Sequence, residues 1–230
     1  MRYSTVLFDL DHTLLDSDAS EALAFAATLR LAGVDDPMAY FPVYDSINRG
    51  LWAAVERHEL TPGHVRVARF EQFITAVGLE ADPVVLADAF AGGLGAHGEL
   101  YPGTRDVLDA MAGRTRMGLV TNGLSEVQCQ RIERLDLGRY FDTVVISAEV
   151  GVSKPSAAIF DIAFECLGQP ARSEVLMVGD SLSSDIRGGR NAGVATCWFN
   201  PHGKVAGVAA TDVDHEIAHL ADLLAVVGCD

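Results

Sequence analysis

Apolar runs of four or five residues recur along the chain, each closed by turn-forming or acidic residues and followed by a longer amphipathic stretch. Residues 5–8, 117–120, 143–146, 175–178 and 195–199 read as buried strands. Between them, Ile159, Phe160, Ala163, Phe164 and Leu167 recur at the spacing of one helix face. Strand and helix signals that alternate in this way predict an α/β fold with a parallel sheet, because parallel neighbours need a crossover that is usually helical.

The interval between the first strand and residue 117 carries mainly helical signals. Phe70, Phe73, Ile74 and Val77 share helical spacing, and Asp82-Pro83 reads as a helix cap followed by proline at the first helical position. Residues 91–98 include four glycines and suit a hinge or linker, while Tyr101-Pro102-Gly103 suits re-entry into the core at a new helix. The expected organisation is a core of residues 1–16 and 98–230 with a helical lobe, 17–97, inserted after the first strand. A chain of 230 residues is long enough for one sizeable core and a smaller lobe.

Composition narrows the function. With 49% hydrophobic and 21% charged residues, and no apolar run of about 18 residues, the chain reads as soluble and globular, with no bilayer span. Its first residues lack the segments of a signal peptide, so a cytoplasmic location is expected. Cys129, Cys166, Cys197 and Cys229 are widely spaced and form no CxxC pair; they read as reduced, mostly buried thiols. A formal charge of -15 argues against a nucleic-acid polymer as partner, since phosphate backbones are held by clustered Lys and Arg. A small phosphorylated metabolite remains compatible, because a divalent cation held by carboxylates supplies local positive charge.

The candidate chemistry lies at predicted strand ends, where open α/β sheets bind ligands. Asp9 and Asp11 follow the first strand; Asp180, in Gly179-Asp180, follows the run at 175–178, with Asp185 five residues on. Together they form an oxygen-rich cation site. Such carboxylates would repel one another unscreened, and Mg²⁺, a hard ion that also takes phosphate oxygens, removes that penalty. Thr121-Asn122-Gly123 follows the second strand and leads into Ser125-Glu126-Val127-Gln128, a capping-box pattern that places hydroxyl and N–H donors at a helix N-terminus. Lys154 precedes Pro155, which is expected to open the next helix, and its ammonium would offset charge on phosphate and Asp9.

This ordered set, DxD, a Thr after a strand, Lys-Pro and GDxxxxD, resembles the haloacid dehalogenase superfamily of phosphohydrolases. The resemblance covers nearly the whole chain. It implies a Rossmann-like parallel-sheet core with an inserted α-helical cap. It also implies that Asp9 attacks phosphorus to form an aspartyl-phosphate while Asp11 serves as acid and then base. Mg²⁺, with Mn²⁺ as an alternative, would be bound by Asp9, the Asp11 carbonyl and Asp180, with Asp185 holding the metal or its waters. Thr121 and Lys154 would fix the phosphoryl group. Dehalogenase members generally lack the second Asp, since a halide needs no proton, so Asp11 favours phosphoryl transfer. Asn48 to Trp52, Gly63 to Phe70, Val144 to Pro155 and Gly188 to Asn200 further resemble bacterial pyrimidine 5′-nucleotidases that act on UMP, dUMP and dTMP. His12 stands where that family often carries another polar residue. Asn48, Trp52, Arg69 and Phe70 are candidates for base or sugar contacts, beside Asn122 and Gly123 for phosphate.

Other readings compete. A phosphatase of sugar or sialic-acid phosphates fits the same scaffold, and a non-catalytic binding module fits the same fold. Gly179-Asp180-Ser181-Leu182 matches the name motif of GDSL serine esterases, with Asp212 and His215 as a D-x-x-H, but it arrives too late in the chain. His215-Glu216-Ile217-Ala218-His219 fits H-E-x-x-H, though a solvated helix face is expected there instead of a zinc site. Gly93 to Gly98 fits G-x-G-x-x-G without a preceding strand and reads as linker.

Overall fold

The structure, a computed structural model, describes residues 2–205 and 213–229. The chain opens with β1 (Thr5–Phe8) and passes through a short β2 (Leu15–Asp16) into four helices, α1 (Ser17–Leu31), α2 (Phe41–Glu56), α3 (Pro62–Val77) and α4 (Pro83–Ala96). It returns through β3 (Glu99–Leu100), which pairs antiparallel with β2 and so holds the two ends of the helical insertion side by side. The rest alternates helix and strand: α5 (Thr104–Met111), β4 (Arg116–Thr121), α6 (Ser125–Arg134), β5 (Thr143–Ile146), α7 (Ser147–Val150), α8 (Ala157–Cys166) and β6 (Val175–Gly179). It closes with α9 (Arg187–Asn191), β7 (Ala195–Phe199), β8 (His215–Ile217) and α10 (Leu223–Val227).

The main sheet has the order β5-β4-β1-β6-β7-β8, with every pairing parallel. The chain builds outward from β1 to β5 on one side, then returns to β6 and builds outward on the other. This is a doubly wound Rossmann-like sheet whose order reverses between β1 and β6, and the crevice at such a reversal is where ligands bind. Register aligns Phe8 with Leu119 of β4 and Val178 of β6, so Asp9 leaves β1 where β6 reaches Gly179.

Both sheet faces are covered, which is why the strands read as continuous apolar runs. Val6 and Phe8 pack into one layer with Val107, Leu108 and Leu223 from α5 and α10. Leu7 points the other way, onto Ile159, Phe160 and Phe164 of α8. The insertion has its own core, in which Phe25, Tyr44, Phe70, Phe73 and Phe90 pack as a ring cluster, with Phe25 and Tyr44 centroids 4.6 Å apart.

Several local expectations are corrected. Residues 91–96 are the last part of α4 instead of a linker. Gly93 lies against α1, where an added Cβ would stand 2.9 Å from Ala24 Cβ, so its glycine serves close helix packing. Asp82 does cap α4, accepting from Val84 N–H at 2.8 Å. Pro155 does not open a helix: Lys154-Pro155 is a cis peptide and Ser156 caps α8. Ser125 makes no cap either, since Leu124 holds the N-cap position of α6 and the Ser125 hydroxyl bonds Glu149. His215 lies in a strand, not on a helix. Cys197 and Cys229 are buried, but Cys129 and Cys166 are exposed. Among the described residues, no helix is long and apolar enough to cross a membrane.

Candidate active site

The carboxyl edge of the sheet brings Asp9, Asp180 and Asp185 together, with ligand oxygens within 4.8 Å of one another. Asp9 and Asp180 follow the two strands that flank the order reversal, whereas Asp185 comes from the helical turn at 182–186 that leads into α9. Thr13 ties the two loops, donating to Asp9 Oδ2 at 3.2 Å and accepting from Asp180 N–H at 3.0 Å. Lys154, itself 1% exposed, places Nζ 2.6 Å from Asp9 Oδ1 and 2.7 Å from Asp185 Oδ1, and donates to the Val120 carbonyl at 2.7 Å.

One buried ammonium thus stands in a cluster of three carboxylates, paired with two of them. Burial pushes the Asp9 carboxyl up to about 8; Lys154 opposes this, while Asp185 and Asp180 add to it. Burial and then Asp185 raise Asp180 to about 7, with Lys204 opposing from 3.9 Å. Burial works against the charge on Lys154, yet Asp185 and Asp9 hold its pKa above the ordinary lysine value. The surplus negative charge and the hard oxygen donors fit a divalent cation such as Mg²⁺.

Asp11 lies beside this cluster but faces other partners. Its Oδ1 accepts from Arg131 Nη1 at 2.5 Å and from Ser17 Oγ, and its Oδ2 accepts from Gln128 Nε2 at 2.6 Å. Burial opposes its charge, but Arg131, Ser17 and Gln128 keep its pKa below the usual carboxylate value. The turn after it is tight: His12 has a φ of 60°, in the left-handed region, and donates its N–H to the Leu15 carbonyl.

The remaining predicted site residues divide. Thr121 ends β4 fully buried, and its hydroxyl oxygen accepts from Gln128 at 2.8 Å. Asn122 lines the cleft, yet its side chain is bonded to the backbone of Lys154 in both directions, at 2.9 Å each, which fixes the lysine loop. Gly123 N–H donates to Ser147 Oγ, and a Cβ at this position would collide with Gln128. Asn48, Trp52 and Arg69 of the insertion line the same cleft of about 730 Å³. Phe70 does not: it is fully buried in the insertion's core, a correction to its reading as a ligand contact.

Four contributors went unnoticed in the sequence. Nothing local in the sequence links Arg131 and Gln128 to Asp11, and Gln128 fits the capping-box pattern with Ser125. Glu21 lines the cleft and accepts from Tyr44 Oη at 3.0 Å and Asn48 Nδ2 at 2.6 Å. Burial raises its pKa against the pull of Tyr44 and Arg69. Glu56 reaches the cleft from α2.

The competing serine-hydrolase reading finds no support. Ser181 Oγ accepts from Ser184 N–H and lies 3.2 Å from Ser183 Oγ, while His215 Nε2 bonds Tyr3 Oη. Asp212 lies outside the described residues. The two histidines of the H-E-x-x-H match sit in β8 and in the turn after it, and so do not share a helix face.

Residues 3–193 match the haloacid dehalogenase-like hydrolase family. The chain is 37% identical to the pyrimidine 5′-nucleotidase YjjG of Escherichia coli, over 97% of this chain and 99% of that protein. It is 36% identical to the pyrimidine 5′-nucleotidase PynA of Streptococcus pneumoniae, over 88% and 86% respectively. In three dimensions it superposes on the HAD-hydrolase YfnB of Bacillus subtilis, solved bound to magnesium, with a TM-score of 0.90, 32% identity and 99% coverage of each chain. The chain is therefore an enzyme that belongs to the haloacid dehalogenase-like hydrolase family and stands with that family's phosphomonoesterases.

Proposed function

We propose that the protein is a Mg²⁺-dependent phosphomonoesterase that forms an aspartyl-phosphate on Asp9. We further propose that it acts in the cytoplasm on pyrimidine nucleoside 5′-monophosphates such as UMP, dUMP and dTMP. The observation that carries the reaction is the meeting of Asp9, Lys154, Asp180 and Asp185 at the order reversal of the sheet, with Asp11 two residues from the nucleophile. Support for the substrate class is the likeness to two pyrimidine 5′-nucleotidases over most of the chain.

In the first half-reaction an Asp9 oxygen bonds to phosphorus, the bond from phosphorus to the ester oxygen breaks, and Asp11 gives its proton to the departing alkoxide. In the second, water gives a proton to Asp11 and bonds to phosphorus, and the Asp9 acyl phosphate breaks to release inorganic phosphate. Asp11 ends protonated, as it began, so one of its oxygens, which in the structure accept from Arg131, Ser17 and Gln128, must be released from those donors when it takes up the proton. Lys154 balances charge on the phosphoryl group and keeps Asp9 oriented, and the Thr121 hydroxyl and the Asn122 backbone are assigned to its oxygens; Gly123, whose N–H is bonded to Ser147, would serve by leaving room beside Gln128. Asp9, Asp180, Asp185 and the Asp11 carbonyl would hold Mg²⁺, or Mn²⁺, which when bound neutralises the carboxylates and polarises the phosphoryl oxygens.

Residues 17–97 are the proposed cap, and 1–16 with 98–230 the catalytic core. The cap residues Trp52, Asn48 and Arg69 offer a stacking face, an amide and a guanidinium to a base and sugar. A phosphate-release screen of pyrimidine nucleotides, purine nucleotides and sugar phosphates, with and without chelator, tests the proposal. Pyrimidine monophosphates should lead, and chelator should abolish turnover. Dominant sugar-phosphate hydrolysis would overturn the nucleotidase reading and leave the phosphomonoesterase reading intact; turnover that survives chelation would overturn the metal requirement.

A further inference from the structure

Arg131 is 3% exposed, and its guanidinium fork is bonded across the junction of cap and core. From α6 in the core, Nε donates to the Leu94 carbonyl of α4 at 3.0 Å and Nη2 to Ser20 Oγ of α1 at 3.1 Å, both in the helical insertion. Nη1 donates to Asp11 Oδ1 at 2.5 Å. The guanidinium is planar and rigid, so these contacts cannot be adjusted independently: a shift of α1 or α4 against α6 turns the plane and moves the group that holds Asp11. Gln128, one helical turn earlier on α6, holds the second Asp11 oxygen. Arg134, one turn later, donates to the carbonyls of Gly95, His97 and Gly98, which anchors the end of α4 to the same helix. A buried arginine whose fork joins two cap elements to one carboxylate does more than fill space.

We propose that Arg131 is a positioning residue that aligns the Asp11 carboxylate for proton transfer and makes that alignment depend on how the cap is seated, through Ser20 and Leu94. The proposal rests on the reading of Asp11 as acid and base. Because Arg131 neither receives the phosphoryl group nor donates the proton, its loss should be felt in proportion to how much the leaving group needs a proton.

Substituted phenyl phosphates provide the test, since they share one shape and differ in leaving-group basicity. The readout is the slope of log kcat/KM against leaving-group pKa in wild type, Asp11→Asn, Arg131→Gln and Ser20→Ala, with fold checked by circular dichroism and melting temperature. In Arg131→Gln the loss for phenyl phosphate should be about tenfold greater than for p-nitrophenyl phosphate, as expected when general acid assistance is lost. Asp11→Asn should steepen the slope at least as much. Ser20→Ala, which keeps the Arg131–Asp11 pair and removes one cap anchor, should steepen it less.

Equal losses on all esters in Arg131→Gln, beside a steepened slope in Asp11→Asn, would overturn the proposal and leave the acid role standing. An unchanged slope in Asp11→Asn would overturn the acid role itself. Should Arg131→Gln fail to fold, a wild-type slope in folded Ser20→Ala overturns the coupling to the cap.

Discussion

Lys154 Nζ stands 2.6 Å from Asp9 Oδ1, in a pair almost wholly withdrawn from water. The same ammonium touches Asp185 and the Val120 carbonyl, so it orients the nucleophile, joins two strand-end loops and is the principal buried countercharge of the cluster. Replacing it with methionine keeps the bulk and deletes the charge. Lys154→Met should lower kcat by about 10²-fold or more, the scale set by loss of one preorganised charge stabiliser. It should also lower unfolding free energy by about 3–5 kcal/mol, because breaking a buried pair leaves its partner uncompensated. Steady-state kinetics and urea unfolding check both; wild-type turnover in the folded variant would remove Lys154 from the mechanism.

Glycines in α4 should respond with opposite signs. Gly92 has nothing within 4 Å of where a Cβ would stand, whereas a Cβ on Gly93 would meet Ala24 at 2.9 Å. Gly92→Ala should stabilise the protein by about 0.5–1 kcal/mol through helix propensity. Gly93→Ala should destabilise it by about 1–3 kcal/mol through overpacking of α1 against α4. Denaturant midpoints of the two variants measure this, and a gain in both would mean that 91–96 is not packed as a helix against α1.

That contrast shows where the sequence was readable and where it was not. The five core strands are legible because most of their residues are buried and apolar, with few polar interruptions. Asp9 and Asp180 follow from them, being the polar residues just beyond the strand ends, whereas Lys154 lies past α7 and is legible only through its place in the ordered set of motifs. The glycines at 93 and 95 look like part of a linker because their use lies in the approach of α1 and α6, contacts that local pattern does not encode. Phe70 shares a helical stripe with Phe73, and both belong to the ring cluster under Tyr44. That stripe pointed to packing more strongly than to ligand binding. Arg131 and Gln128 lie 120 and 117 residues from Asp11, and only the tertiary fold brings them to it.

His215 sets a small, signed pH effect away from the site. Partial burial, and next the charge of Arg2, lower its pKa, with Asp214 opposing. The folded state therefore resists protonation of this imidazole more than the unfolded state does. Its contribution is fully present above the ordinary histidine value of about 6.5 and is lost as pH falls through that value towards the depressed folded one. The difference in stability between wild type and His215→Gln should shift against wild type on going from neutral to mildly acidic pH. A difference that is flat, or that moves in wild type's favour on acidification, would contradict this.

The most direct test of the whole account is to catch the phosphoryl group on the protein. Acid-quenching the enzyme during turnover of its best monoester, followed by peptide mass spectrometry, should find a phosphoryl adduct on the peptide carrying Asp9, located at Asp9 by fragmentation. Asp9→Asn should carry no adduct and release no phosphate, while Ser181→Ala should keep both. An adduct on Ser181, or phosphate release undiminished in Asp9→Asn, would contradict the assignment of Asp9 as nucleophile.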